Sequence, residues 1–264
     1  MYKITLSFLL LVFIIPGAQC APPDLLAKLK KSTRQQVIEV VDGDTVILKD
    51  QSRVRLVGIQ APRQPLNRMA RKQWPEAAKA EAQKMLSSLI LNQHVTLYFG
   101  GQRRDRYGRA MAHLVRDDGL WLQGEMLKNG MARVMTLPDN AALAPEMMAH
   151  ETIARQAGSG IWARDYYRPK DHLMASQHKH RFQIITGIVK NVAKIKSTYY
   201  VNFGDNWRKD FTIVIKSRAA RKFVKTGRDP KTFKGKKIEI RGWLKSYNGP
   251  MIEATHPEQI TIIQ

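Results

Sequence analysis

The stretch from Val37 to Ile59 constrains this chain most. Val37 to Leu48 is rich in β-branched residues and is interrupted only by Asp42-Gly43-Asp44-Thr45, a turn signature. Arg53 to Ile59 then alternates as Arg-Val-Arg-Leu-Val, which reads as the return strand. A hairpin this small needs more strands and a helix over its apolar face. Residues 75–91 supply the helix: Pro75 and Glu76 suit a first turn, and Ala78, Ala82, Met85, Leu86 and Leu89 share one side. His94–Phe99 and Ala110–Val115 read as further strands. A short helix at 121–128 ends at Asn129-Gly130, and a third at about 144–157 ends at Gly158-Ser159-Gly160.

The pattern changes twice more. Residues 21–35 are polar and proline-led and read as a flexible arm, and residues 164–181 lack periodicity and read as a linker. From Phe182 onward strands are expected at 182–193, 198–204, 210–216, 237–244 and 250–263, with a helical stretch near 217–225. Three strands, a helix and two strands suit a second, C-terminal five-stranded barrel of the OB type over 182–264. His172, His178 and His180 fall in the linker without a regular ligand spacing, so a polar linker is the expectation there rather than a metal site.

The first twenty residues read as a signal peptide. Lys3 gives a positive start, an apolar run extends to Ile15, Pro16-Gly17 breaks it, and Ala18-Gln19-Cys20 resembles a cleavage site. The run is too short for a comfortable span. The expectation is an exported protein, periplasmic or secreted, with an uncleaved N-terminal anchor as the alternative. Cys20 is the one cysteine, so a mature chain cut after it has no disulfide.

Charge narrows the partner. The net charge is +22, and residues 180–264 hold 18 Lys/Arg against 6 Asp/Glu. So large an excess favours a polyanion: nucleic acid, an anionic envelope surface or an acidic polysaccharide. In the C-terminal part, Trp207, Trp243 and Tyr247 stand among Lys194, Lys196, Arg208, Lys209 and Lys245. Exposed aromatics beside basic residues on a barrel make a stacking groove for single strands, although strand periodicity assigns about half of such aromatics to the core.

Three clusters could carry chemistry. Asp42-Gly43-Asp44 places two carboxylates at a turn, where oxygen ligands could hold a hard cation, although an Asp-Gly turn alone is more often structural. Arg53 and Arg55 share a strand face. Residues 103–109, Arg-Arg-Asp-Arg-Tyr-Gly-Arg, hold four arginines and a tyrosine around a glycine, and arginine forks clamp phosphate oxygens in pairs.

Taken in order, VVDGDTVIL, VRLVGIQAP, DRYGRAMAHL and the closing SGIW at 159–162 resemble staphylococcal nuclease over residues 36–163. The resemblance implies an OB-type five-stranded barrel with three helices, in all a mainly β (α+β) chain of two barrels. It also implies cleavage of DNA or RNA with calcium. On that resemblance Asp44 matches the first calcium carboxylate, and Arg55 the arginine bridging the metal-bound phosphate. Arg109 matches the second phosphate-binding arginine, Tyr107 contacts nucleotide, and Arg106 joins the same turn. Fixed cations there would steady the charge that grows on the phosphate oxygens.

Two positions depart from the pattern. Gln60 stands where the family keeps a second calcium carboxylate, and is expected to be a weak ligand at best. Arg63 stands where the family keeps the glutamate that activates water, and arginine cannot act as a base. The reading is therefore an exported nuclease-like protein that binds single-stranded DNA or RNA without sequence preference, through Arg63, Arg106, Tyr107, Trp207, Trp243 and Tyr247, with no small-molecule cofactor. The alternatives are a non-catalytic nucleic-acid binder that has lost the glutamate, and a cell-envelope polyanion binder.

Overall fold

The computed structural model describes residues 23–66, 68–72 and 74–263. The proposed signal segment and Cys20 lie outside them. In chain order the elements begin with α1 (Pro23–Ala27), β1 (Lys30–Asp42), β2 (Thr45–Leu48), β3 (Arg53–Leu56), β4 (Ile59–Gln60), α2 (Arg68–Lys72) and α3 (Ala77–Ile90). β5 (His94–Phe99), β6 (Ala110–Arg116), α4 (Leu122–Lys128), β7 (Arg133–Val134) and α5 (Ala144–Ala157) complete the first domain. The second part holds β8 (Lys170–Asp171), β9 (Phe182–Ile188), β10 (Asn191–Ile195), β11 (Thr198–Asn202) and β12 (Thr212–Ile215). It continues with α6 (Ser217–Lys225), β13 (Lys237–Ser246), β14 (Pro250–Glu253) and β15 (Ile260–Ile263).

The first sheet closes into a barrel in the order β1-β2-β3-β6-β5. β1 makes closure possible because it serves two neighbours. Lys30–Gln36 pairs with β5, Val37–Asp42 pairs with β2, and register shifts within each half let the strand bend round the corner. β3 and β6 run parallel, while the other neighbours in the barrel run antiparallel. α3 lays Ala78, Ala82, Leu86 and Ile90 into the interior. It passes so close to the β1–β2 turn that a Cβ on Gly43 would lie 2.6 Å from that of Ala82, so glycine is required there.

The second sheet repeats this order as β10-β11-β12-β14-β13-β9, with β12 and β14 parallel, β8 beyond β9, and β15 paired to β13. The sheet runs from β10 at one end to β8 at the other, and β9 and β10 are consecutive in the chain. α6 occupies the same place between third and fourth strands that α3 takes in the first domain, and buries Ala219, Ala220 and Phe223.

Several expectations need correction. The segment read as a flexible arm is α1 followed by the first half of β1; its exposed Lys, Ser, Thr and Arg side chains hide a strand held by backbone pairing with β5. The segment read as a linker folds into turns, β8 and a 3-10 stretch at His172–His178, and buries Tyr167 and Ala175. The expected strand 182–193 is divided between β9 and β10, and 250–263 is interrupted by a 3-10 turn at Pro257–Gln259.

The two domains meet through buried charge. Arg241 on β13, 1% exposed, donates to Glu151 Oε1 of α5 at 3.0 Å and to Glu239 Oε1 at 2.9 Å. Arg155 of α5 reaches across to Glu239 Oε2 at 2.7 Å. Burial alone would raise the Glu239 carboxyl, but the Arg155 and Arg241 guanidiniums hold it below the ordinary glutamate range. Nearby, Thr136 of the first domain and His256 of the second share a hydrogen bond of 2.8 Å.

Candidate active site

Asp44 stands at the end of the β1–β2 turn with its side chain buried in the barrel wall. Its carboxylate is fully engaged. Oδ1 accepts from Arg55 Nη1 at 3.2 Å, Arg63 Nη2 at 3.1 Å and Thr45 Oγ1 at 3.1 Å, and Oδ2 accepts from the Ala61 N–H at 2.9 Å. Burial pushes the Asp44 carboxyl up; Arg55 opposes this, Asp42 adds to it, and Arg63 and the Ala61 N–H pull it back in part.

Arg55 projects from β3 beside Asp44 and is itself mostly buried. Burial lowers its pKa, and after the compensating Asp44 charge the next contributors are the Arg63 and Arg109 guanidiniums. Arg63 and Arg109 therefore both lie within electrostatic reach of Arg55. Arg109 arrives there because it immediately precedes β6, whose Ala110 sits opposite Val54 of β3. Asp105 fixes the intervening turn: its carboxylate accepts from the Tyr107 and Arg109 N–H groups at 2.9 and 3.1 Å and from Arg109 Nε at 2.7 Å. The turn itself needs positive φ at Gly108. At its tip Tyr107 is exposed, and Arg106 lies over its ring at 4.8 Å.

Residues 53–164 match the family described as staphylococcal nuclease homologue. Over 136 residues the chain is 31% identical to the thermonuclease of Staphylococcus intermedius, covering 48% of this chain and 75% of that protein. The chain belongs to the staphylococcal nuclease family. An uncharacterized endonuclease of Escherichia coli O157:H7 is 31% identical over 134 residues, covering 48% of this chain and 76% of its own length. An uncharacterized protein of Bacillus anthracis is 29% identical over 143 residues, and the chain spans 64% of that relative's length. These matches fall short of the full chain, and the whole second sheet, from Lys170 on, lies outside the family match.

As a member of the staphylococcal nuclease family, the chain has an altered acid pocket. Gln60, expected to be a weak metal ligand, turns away from Asp44: its Oε1 accepts from Arg133 Nη2 at 2.8 Å and Nε at 3.1 Å. Pairing of β4 with β7 sets Gln60 opposite Arg133, so the amide meets the guanidinium before it can meet a cation. Arg63 fills the space between the two turn carboxylates, with Nη2 3.1 Å from Asp44 Oδ1 and 3.3 Å from Asp42 Oδ2. Calcium asks for several free oxygen ligands. With Asp44 saturated by donors, Gln60 engaged elsewhere and a guanidinium on the carboxylates, this arrangement does not fit the ion. Among the described residues no group of three or more His, Cys, Asp or Glu gathers as a metal site, the linker histidines included.

The C-terminal aromatics divide between core and surface. Tyr199, Phe203 and Phe211 are core, whereas Trp207, Trp243 and Tyr247 are exposed. Among the described residues no helix is long and apolar enough to cross a membrane. The turn carboxylate of Asp42, legible in the sequence, serves as the second acceptor for Arg63. One residue of the site escapes a reading of the sequence. Arg133 stacks 4.3 Å from the Phe182 ring and 5.4 Å from that of Tyr167, and burial brings its pKa down to about 10. No periodicity or motif around Arg133 marks it, because its partners come from distant parts of the chain.

Proposed function

We propose that this chain binds the phosphodiester backbone of nucleic acid at the Arg55–Arg63–Arg109 cluster, without sequence preference, and that Arg63 takes the place of the cation. The observation that carries this reading is the Arg63 guanidinium lodged between Asp42 and Asp44. A guanidinium in that position neutralises the two carboxylates, and the N–H groups of Arg55 and Arg109 not taken by Asp44, Ile59 and Asp105 are left for phosphate oxygens. Binding then needs no calcium and weakens steeply with salt, because each phosphate contact releases counterions.

Hydrolysis is the finer question. A nuclease needs a base or an activated water beside the scissile phosphate. The Asp44 oxygens are occupied by donors, and Arg63 supplies no base. Slow cleavage by the native chain follows. A second reading is favoured by the exposure of the Arg63 side chain, 44%: if substrate draws Arg63 outward, Asp42 and Asp44 are freed to take calcium. The signal-like segment with Lys3 and Ala18-Gln19-Cys20 supports action outside the cytoplasm.

The test is a fluorescence-anisotropy titration of labelled single-stranded DNA, with chelator and with calcium, alongside a denaturing gel for cleavage. We expect equal binding in both buffers, little cleavage by the native protein, and calcium-dependent cleavage gained by Arg63→Glu. Rapid cleavage by the native protein only with calcium, slowed by Arg63→Glu, would overturn the reading in favour of the second.

A further inference from the structure

The outer face of the second sheet carries a row of side chains that its fold does not use. On β13, Leu244 points inward and is buried, while Trp243 and Lys245 on either side point outward, followed by Tyr247 at the start of the β13–β14 turn. Trp243 is 55% and Tyr247 74% exposed. Leaving two large rings in water forgoes hydrophobic stabilisation, so a face built this way has a partner. Met251 of β14 lies opposite Lys245 on the same face. The loop bearing Trp207, Arg208 and Lys209 closes one end, so near the turn that a Cβ on Gly249 would meet the Lys209 carbonyl carbon at 3.0 Å. Arg208 already lies over the Trp207 ring at 4.4 Å, which leaves Trp243 and Tyr247 the freer platforms.

This row is connected to the acid pocket of the first domain. Trp243 meets Phe182 edge-on at 6.3 Å, Arg133 lies over the Phe182 ring at 4.3 Å, and Arg133 holds Gln60. The residue after Gln60 is Ala61, whose N–H binds Asp44. Between the domains a cleft of about 330 Å³ runs past Leu137 and Pro138 on one side and Trp243 and Lys245 on the other. The arginine cluster and the aromatic row are therefore linked beneath the surface by side-chain contacts that cross the domain boundary.

We propose that one single-stranded nucleic acid held by its backbone at Arg55, Arg63 and Arg109 extends over the domain boundary and stacks its bases on Trp243 and Tyr247. The proposal rests on the phosphate-binding reading of the first domain and assigns the second domain its share. Charge complementarity picks the occupant: residues 180–264 carry three times as many basic as acidic residues, 18 against 6. Rings interleaved with cations suit a polyanion with flat bases better than an apolar protein surface. The strand must be single, because a base inside a duplex has no free face to offer a ring. Stacking also tolerates any sequence, since every base has a π-face.

The test compares two probes on the full chain in chelator: a thymidine dinucleotide, too short to span the domains, and an oligothymidine of about 12 nucleotides, long enough to cover a barrel. The variants are Trp243→Ala/Tyr247→Ala and, as a rescue, Trp243→Phe. We expect the double substitution to weaken the long strand roughly ten- to hundredfold, to leave the dinucleotide unchanged, and Trp243→Phe to retain most of the native affinity. Circular dichroism melts matching the native chain would show that the fold is kept. A long strand bound equally well by the double variant would overturn the proposal, and so would equal loss on a duplex of the same length, which would mean that the rings make a contact needing no free base face. If the dinucleotide fails to bind while the long strand still depends on Trp243, the phosphate reading of the first domain fails and the aromatic platform stands alone. Aromatic variants that lose self-association but not oligothymidine binding would assign the face to a second copy of the chain and refute the nucleic-acid path.

Discussion

The two sheets of this chain follow the same strand order, with one parallel pair and a helix between the third and fourth strands, yet they use charge in opposite ways. In the first, the buried acid Asp44 is surrounded by Arg55 and Arg63 at the mouth of a pocket, with Arg109 within reach. In the second, the buried charges Glu239 and Arg241 are committed to the first domain through Glu151 and Arg155, and the outer face offers rings and lysines. Closure differs too. One long bulged strand closes the first sheet into a barrel, whereas the second is an open sheet in which the corresponding stretch is divided between β9 and β10. One topology thus supports a pocket for charge chemistry in one place and a flat face in the other, which places function in side chains rather than in strand order.

The sharpest way to break this comparison is at the shared ion network. Arg241→Ala leaves Glu151 and Glu239 buried without their main cation and should cost about 3–5 kcal/mol, read as a drop in the urea midpoint. A variant as stable as the native chain would mean that the two domains stand independently.

Acid should act next most strongly, and on both domains. Burial holds His113 of the first barrel at about 3 and His256 at the domain contact at about 4, both below the ordinary histidine value. The unfolded chain therefore takes up protons at a higher pH than the folded one. Stability is full above about pH 6.5 and declines as pH falls toward 4, by a few kcal/mol in all. Urea titrations across that range check the slope, and His256→Gln should flatten it by the share of the domain contact. A flat profile in the native chain would contradict the assignment of both histidines as buried and neutral.

Arg109→Ala should come third. Losing a charge-assisted contact of roughly 1.5–3 kcal/mol should weaken dinucleotide binding about ten- to hundredfold and reduce the salt slope by about one. An unchanged slope would remove Arg109 from the phosphate site. The smallest effect belongs to Asp105→Asn, which keeps the turn's hydrogen-bonding size but loosens Arg109; a loss of up to about fivefold in the same assay is expected, in line with the 0.2–1 kcal/mol of a partly exposed pair. A larger loss would mean that Asp105 organises the whole loop.

Much of this was legible in the sequence. Alternation gave β5 its bounds, the apolar face at 78–89 located α3, and the order of Asp44, Arg55 and the 103–109 turn pointed to one pocket. What escaped was pairing between distant segments. Lys30–Gln36 looks like a polar arm because a strand held at a barrel edge by its backbone can keep its side chains in water and show no apolar period. Gln60 looks like a weak ligand because the family resemblance sets it where a second calcium carboxylate stands. Its partner, Arg133, is 73 residues away and is brought opposite only by the β4–β7 pairing. In the same way Arg63 reads as a lost glutamate until the turn carboxylates of Asp42 and Asp44 close around it. Periodicity records which side of an element faces the core, so it reaches burial and element type. The direction taken by a polar side chain depends on donors and acceptors delivered from elsewhere in the chain, and only the closed barrel and its contact with the second domain bring those together.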